Sequence, residues 1–269
     1  MQPAMEPSFA RIAYTACPLC DAKASTEIRI ADCTAHPLYK PALPATLRWV
    51  RCEQCTHIHV DGYFGAAACA SLFAATNPEQ QPGYELESQR LAWSRVVATI
   101  CRMRASGSGR WLDVGFGSGS LLTTAAEFGH SVVGLDTRSE NVRLLNAYGI
   151  EAHTTDFEDY RPPDALDVIS MADVLEHMPF PRVALYHAHD LLASDGLLFL
   201  SMPNADAFVW KVMTDNGINP YWGEIEHYHN FGRTRLYALL AECGFLPLHY
   251  CVSSRYRVGM EIIARRLPA

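Results

Sequence analysis

No run of about 18 consecutive apolar residues occurs anywhere in the 269-residue chain, so nothing in it reads as a membrane-spanning helix. The opening MQPAMEPSFARIAYTACPLC lacks a basic stretch followed by an apolar one and does not read as a secretory signal. Basic tracts are missing as well. The 22 Lys and Arg against 29 Asp and Glu leave a formal charge of −7, with nothing longer than pairs such as Arg265-Arg266. That balance argues against nucleic acid as a partner, although a local patch stays open. Repeats and low-complexity tracts are absent, and 49% hydrophobic against 19% charged residues excludes global disorder. The expectation is a soluble, cytoplasmic protein with one large domain, or an ordinary domain preceded by a small module.

What is present begins with cysteine. There are nine, an odd number, and Cys17, Cys20, Cys33, Cys52 and Cys55 crowd into the first fifth of the chain. Cys69, Cys101, Cys243 and Cys251 are scattered and read as small buried hydrophobes. Cys17-Pro-Leu-Cys20 and Cys52-Glu-Gln-Cys55 are C-x-x-C pairs with 31 residues between them. Four thiolates so paired satisfy tetrahedral zinc and would staple a segment too small for a core of its own. A redox disulfide is the competing chemistry, for which one pair would suffice. Cys33, His36 and His57 are reserve ligands. A four-Cys site has no open position, which makes the expected zinc structural.

Composition divides the chain into a zinc-binding module at 13–62, a connection at 63–85 that includes NPEQQPG, and a larger domain at 86–269. Trp93, Val96, Val97 and Ile100 predict an amphipathic helix over 86–104. From Arg110 onward strands alternate with helices. Strands are expected at 111–114, 131–135, 165–171 and 196–202, with helices at 121–128, 139–147, 181–192 and 233–243. Such βαβ units predict a Rossmann-like, doubly wound, mostly parallel sheet. The closing strands at 245–253 and 258–264 are too close for a crossover helix and must pair antiparallel.

The first strand runs into LDVGFGSGS, which sets Asp113 ahead of Gly115, Gly117 and Gly119 at the mouth of a helix. Glycines let backbone turn sharply and approach a ligand beside a positive helix end. The spacing is not G-x-G-x-x-G, since position 120 is Ser, and Asp113 would face a pyrophosphate unfavourably. It suits a cationic amino group instead. The next strand ends at Asp136, 17 residues after Gly119, where a carboxylate can accept bonds from a ribose diol.

LDVGFGSGS, VVGLD, HTTDFEDY and MADVLEHMPFP, in that order, resemble the class I S-adenosylmethionine-dependent methyltransferases over roughly residues 86–269. The resemblance implies S-adenosylmethionine over Gly115, Phe116, Gly117 and Gly119, with Asp113 near its amino group and Asp136 and Thr137 at its ribose. It puts Asp156 and Phe157 beside the adenine, and Met171, Ala172 and Asp173 along the cofactor beyond the fourth strand. DFEDY on its own also reads as a solvated turn. The cysteine module is similar to the zinc-binding segment preceding the methyltransferase domain in deoxysugar C-methyltransferases and related bacterial small-molecule enzymes. It is also similar to the zinc knuckle of some ribosomal-RNA methyltransferases, whose cysteine pairs stand closer together.

Methyl transfer needs an aligned nucleophile and, for an acceptor of high pKa, a base. His177 follows the fourth strand. NPYWGEIEHYHNF brings Trp222, Glu224, Glu226, His227 and His229 to an insertion before the last helix, and the resemblance extends to a His and Phe there, matching His227 and Phe231. His227, assisted by Glu226 or Glu224, is the candidate base, with His229 and His177 behind it. A second metal on this Glu/His insertion is a further option. The function so implied is methyl transfer to O, N, C or S of a small molecule, in a biosynthetic pathway. The alternatives are an RNA methyltransferase whose zinc module binds RNA, and a non-catalytic cofactor-binding scaffold.

Overall fold

A computed structural model describes residues 9–73, 80–104, 107–256 and 258–268. The opening residues and part of NPEQQPG therefore lie outside the described residues. The first elements are β1 (Arg11–Ala13), β2 (Ser25–Asp32), β3 (Thr46–Cys52), β4 (Ile58–Val60), β5 (Gly62–Phe64) and α1 (Ala66–Leu72). Then follow α2 (Leu86–Met103), β6 (Arg110–Val114), α3 (Ser120–Glu127), β7 (Ser131–Leu135), α4 (Ser139–Ala147), β8 (Glu151–His153) and β9 (Leu166–Ala172). The remainder is α5 (Pro181–Leu191), β10 (Leu192–Pro203), α6 (Phe208–Asp215), β11 (His229–Asn230), α7 (Arg233–Glu242), β12 (Phe245–Val252) and β13 (Gly259–Arg266).

Seven strands form the main sheet in the order β12-β13-β10-β9-β6-β7-β8. Its β10-β9-β6-β7-β8 part is parallel, and β13 pairs antiparallel with both β10 and β12. Alternation along the strands divides the core. Leu112, Val114, Ile169, Met171, Leu198 and Leu200 pack on one face under α5 and α7, whereas Trp111, Val168, Leu197 and Phe199 pack on the other under α2 and α3. Trp93, Val96, Val97 and Ile100 are the buried stripe of α2, and each such side chain contributes roughly 1.5–3 kcal/mol on leaving water.

A second sheet, ordered β11-β4-β3-β2, stands apart from the first. Three of its strands are N-terminal, but β11 comes from the insertion before α7 and pairs antiparallel with β4, setting His229 opposite His59. The core beneath is equally mixed: Leu47, Trp49, Val60, Phe64 and Leu72 pack with Trp210, Trp222, Ile225 and Tyr228. The stretch read as a connection contains β5 and α1, and β5 pairs with β1.

Candidate functional site

β6 delivers the chain to the carboxyl edge of the sheet, where Gly115, Gly117 and Gly119 take φ of +64°, +54° and +74°. A Cβ on Gly115 would stand 2.7 Å from Val174 Cγ2, and one on Gly119 would stand 2.9 Å from Leu145 Cδ1. Two positions thus need glycine for space as well as for φ. Phe116 contributes only backbone to the loop, because its ring packs on Gly134 in a core with Leu122, Val142 and Leu145.

Asp113 is 2% exposed and accepts from Ser170 Oγ at 2.5 Å. Ser170 in turn accepts from Trp111 Nε1 at 2.8 Å. Burial, with Asp136 nearby, pushes Asp113 up to about 7 against the pull of Ser170 and Arg255. A buried acid with so little compensation is suited to receive a cationic amino group. Asp136, at the end of β7, is already well supplied. Its Oδ1 accepts from Arg138 N at 2.9 Å and Nε at 2.8 Å, and its Oδ2 accepts from Arg138 Nη2 at 2.7 Å and Gly117 N at 3.1 Å. A ribose diol would have to share this carboxylate with Arg138. Thr137 is exposed beside it, as is Asp156, while Phe157 is buried with its ring 4.9 Å from His187. Asp156 therefore stands open at the surface, and Phe157 belongs to the core under α5.

Past β9, where Met171 turns into the core and Ala172 packs against the opposite face, Asp173 adopts φ +56°. Its carboxylate takes Arg255 Nη1 at 2.6 Å, the Tyr256 hydroxyl at 2.6 Å and Ser201 Oγ at 3.2 Å. The Arg255 guanidinium also lies 4.3 Å over Trp93. Arg255 and Tyr256 were not among the residues singled out from sequence. The signal was available: β13 starts opposite Pro203, at the carboxyl end of β10, so the β12–β13 turn must reach the same edge.

The 3-10 turn Leu175–His177 follows. Glu176 is 1% exposed, and neither carboxyl oxygen has a hydrogen-bond partner among the described residues. Burial, reinforced by Asp173, pushes its pKa well above the usual carboxylate range. His177 Nδ1 donates to the Glu226 carbonyl at 3.1 Å, leaving Nε2 as the lone-pair nitrogen when the ring is neutral. His227 is 7% exposed, its Nδ1 has no partner among the described residues, and its ring centroid is 4.7 Å from that of His177. Burial first, then the surrounding imidazoles of His177, His36 and His229, holds the His227 pKa well below the usual value. Glu176, His177 and His227 bring their ligating atoms within 4.8 Å of one another. Within this set the His227 imidazole is the one that burial keeps neutral.

Glu224 and Glu226 do not orient His227. They meet His36, whose Nε2 is 2.8 Å from Glu224 Oε2 and 3.3 Å from Glu226 Oε2. His229 is bound at both ends of its ring. Its Nε2 donates to the Met178 carbonyl at 3.0 Å, and its Nδ1 accepts from His57 Nε2 at 3.0 Å, so both nitrogens are committed.

The four N-terminal thiols converge. Cys17 and Cys55 Sγ are 3.7 Å apart, Cys20 and Cys52 Sγ are 3.5 Å apart, and all four lie within 4.8 Å of one another. Tetrahedral zinc with Zn–S bonds of about 2.3 Å puts its sulfurs roughly 3.8 Å apart, so the donor set fits. The knuckles repeat one backbone design. Asp21 and Thr56, each just after the second cysteine, both have φ of 60°, and their N–H groups donate to Cys17 O and Cys52 O, each at 3.0 Å. The reserve ligands lie elsewhere: Cys33 donates to Pro44 O, His36 meets Glu224 and His57 meets His229.

Residues 86–250 match the family described as a methyltransferase domain. A ubiquinone biosynthesis O-methyltransferase from Ralstonia nicotianae is 29% identical over 147 residues, covering 51% of this chain and 59% of that protein. One from Burkholderia multivorans is 31% identical over 136 residues, covering 48% and 56%. The chain thus spans less than two thirds of the curated relatives it matches. In structure it is similar to Burkholderia thailandensis 1,6-didemethyltoxoflavin-N1-methyltransferase, with TM-score 0.57, 19% identity and coverage of 80% of this chain and 98% of that one. Magnesium protoporphyrin IX methyltransferase from Synechocystis gives 0.54, 21%, 67% and 84%. Both were solved with bound S-adenosylhomocysteine, and at these identities the likeness is one of fold.

Proposed function

The chain belongs to the methyltransferase-domain family, and from that premise we propose that it transfers the methyl group of S-adenosylmethionine to a small-molecule acceptor in a biosynthetic pathway of the cytoplasm. The observation that carries this reading is that the positive-φ glycine loop with Asp113 and the turn bearing Glu176 and His177, which His227 joins from the insertion before α7, follow neighbouring strands, β6 and β9, at one edge of one sheet. S-adenosylmethionine supplies an activated methyl group on a sulfonium. Asp113 receives the amino group, Asp136 the ribose diol with Arg138 beside it, and the glycines let backbone lie against the ligand. The His227 lone pair takes the acceptor proton, in surroundings dry enough to sharpen its orientation.

In this reading residues 13–62 are the zinc-binding part, 63–85 the connection and 86–269 the cofactor-binding part. Cys17, Cys20, Cys52 and Cys55 hold one structural zinc, with no step of the chemistry assigned to it. Among the described residues no helix is long and apolar enough to cross a membrane.

The test is to incubate purified protein with methyl-labelled S-adenosylmethionine and a panel of phenols, catechols, amines and hydroxylated sugars, following S-adenosylhomocysteine release and acceptor mass. Transfer to one class, lowered roughly 10²–10⁴-fold by His227→Ala with S-adenosylhomocysteine affinity kept, supports the reading. Binding of a nicotinamide cofactor in preference to S-adenosylhomocysteine defeats it.

A further inference from the structure

Glu176 is a carboxylate sealed from water, and neither of its oxygens has a hydrogen-bond partner among the described residues. Such a group needs a proton or a cation to stay buried. Two imidazoles converge on it. One ligating atom from each of Glu176, His177 and His227 lies within 4.8 Å of the other two, yet no hydrogen bond joins the carboxylate to either ring. Ligand atoms about 2.0–2.2 Å from a tetrahedral ion stand roughly 3.4 Å apart, so three donors this close suit a shared cation. A proton would serve one carboxyl oxygen and neither ring.

The rings are held as ligands are held. His177 Nδ1 donates to the Glu226 carbonyl at 3.1 Å, which leaves the Nε2 lone pair for an ion, and a backbone carbonyl is a usual second contact of a metal-bound imidazole. His227 offers Nδ1, buried and without a partner among the described residues. Backbone ties the two segments together as well, since Tyr228 N–H donates to Glu176 O at 2.9 Å. The donors therefore stand in place before any ion arrives, two from the turn after β9 and one from the insertion before α7. Glu224 and Glu226, the acids of the insertion itself, face His36 instead.

We propose that Glu176, His177 and His227 bind one divalent cation of the zinc type, through two imidazoles and a carboxylate, with a fourth position open to the acceptor. Imidazole donors favour zinc, cobalt, iron or nickel over magnesium, and three protein ligands are the number that leaves a catalytic zinc position free. The turn lies against the cofactor loop, for Val174 Cγ2 is 2.7 Å from where a Cβ on Gly115 would stand. The inference deepens, and rests on, the reading of this cluster as acceptor-facing: the acceptor is then a hydroxyl compound able to ligate the ion. Bound there, the hydroxyl gives up its proton to water more readily. Its oxygen forms the new bond to the methyl carbon, and the electron pair of the broken C–S bond stays on the sulfur. With the ion present His227 is a ligand, and only without it is its lone pair left to take the proton.

The test uses the full chain with zinc on its four cysteines and cobalt(II) as the probe, and it needs no acceptor. Beyond that zinc, native protein should take up one cobalt per chain, with visible bands that lack the sulfur-to-metal charge transfer of cysteine ligation and that shift when azide fills the open position. Glu176→Gln, which keeps the side chain's shape, should weaken cobalt binding roughly 100-fold or more, while Glu224→Gln should leave it unchanged. His227→Asn gives the same reading if Glu176→Gln does not fold. Cobalt held by the cysteines alone, binding untouched by Glu176→Gln, loss in Glu224→Gln instead, or bands that azide leaves unmoved, each overturns the proposal. S-adenosylhomocysteine affinity, measured on the same samples, reports separately on the methyltransferase reading.

Discussion

His57 Nε2 donates to His229 Nδ1 across 3.0 Å, between two fully buried rings. The direction follows from the far end. His229 Nε2 must give its hydrogen to the Met178 carbonyl, so Nδ1 is the acceptor and His57 carries its proton on Nε2. His57 Nδ1 is then a bare lone pair, and it is indeed buried without a partner among the described residues. Through His229 Nε2 the pair reaches the Met178 carbonyl, just past the turn carrying Glu176 and His177.

Acid should undo this arrangement. Burial pushes His229 down to about 3 from an ordinary 6.5. The folded state thus binds fewer protons than the unfolded one between those values, and stability rises with pH there and is lost as pH falls. His229→Gln should flatten the dependence of Tm on pH between about 6.5 and 4, where the native protein loses on the order of a few kcal/mol. Thermal melts across that range check it.

Asp113 works in the opposite sense. Its folded value is about 7 against 3.8 for the free side chain, so the folded protein holds an extra proton in that window. Stability is highest below about pH 4 as far as this group is concerned, and falls as pH rises toward 7. Asp113→Asn should make the ligand-free protein more heat-resistant than native at pH 7.5, while weakening S-adenosylhomocysteine. Equal melting temperatures at that pH would count against an ionised, uncompensated Asp113.

Asp136→Ala removes the acceptor of four hydrogen bonds, two of them from side-chain nitrogens of Arg138. Calorimetry should find S-adenosylhomocysteine binding weakened by about 1.5–3 kcal/mol, the range for a charge-assisted bond. Binding that is unchanged would place the ribose elsewhere.

Cys52→Ser should release zinc that elemental analysis finds at about one per native chain. Because His57 follows the same knuckle, backbone amides near 228–231 should exchange faster with solvent in that variant, while S-adenosylhomocysteine still binds. Full zinc retention would move the metal to other ligands.

The main sheet was legible because its strands are apolar runs separated by helices with their own stripes, and α3, α4 and α7 each stop just before a glycine, Gly129, Gly149 and Gly244. β8 was missed, being three residues with Glu and His on the exposed side. α6 was missed because FVWKVMTD has strand-like composition and its Phe208 and Val209 are exposed. Asp113, Asp136, His177 and His227 could be found from local motifs. The engagement of Glu224 and Glu226 by His36 could not, because it depends on a contact between residues 188 apart, which no periodicity encodes.

The two-residue strand β11 also has a consequence for how the protein is made. β4 waits for a partner that lies 172 positions downstream of His57, and at 5–20 residues per second synthesis takes roughly ten to thirty seconds to supply it. During that interval one edge of the emerging N-terminal sheet is an unfilled template for strand pairing. The growing chain therefore passes through a stage in which the ribosome-bound segment is vulnerable to mispairing, and the arrival of His229 and Asn230 ends it.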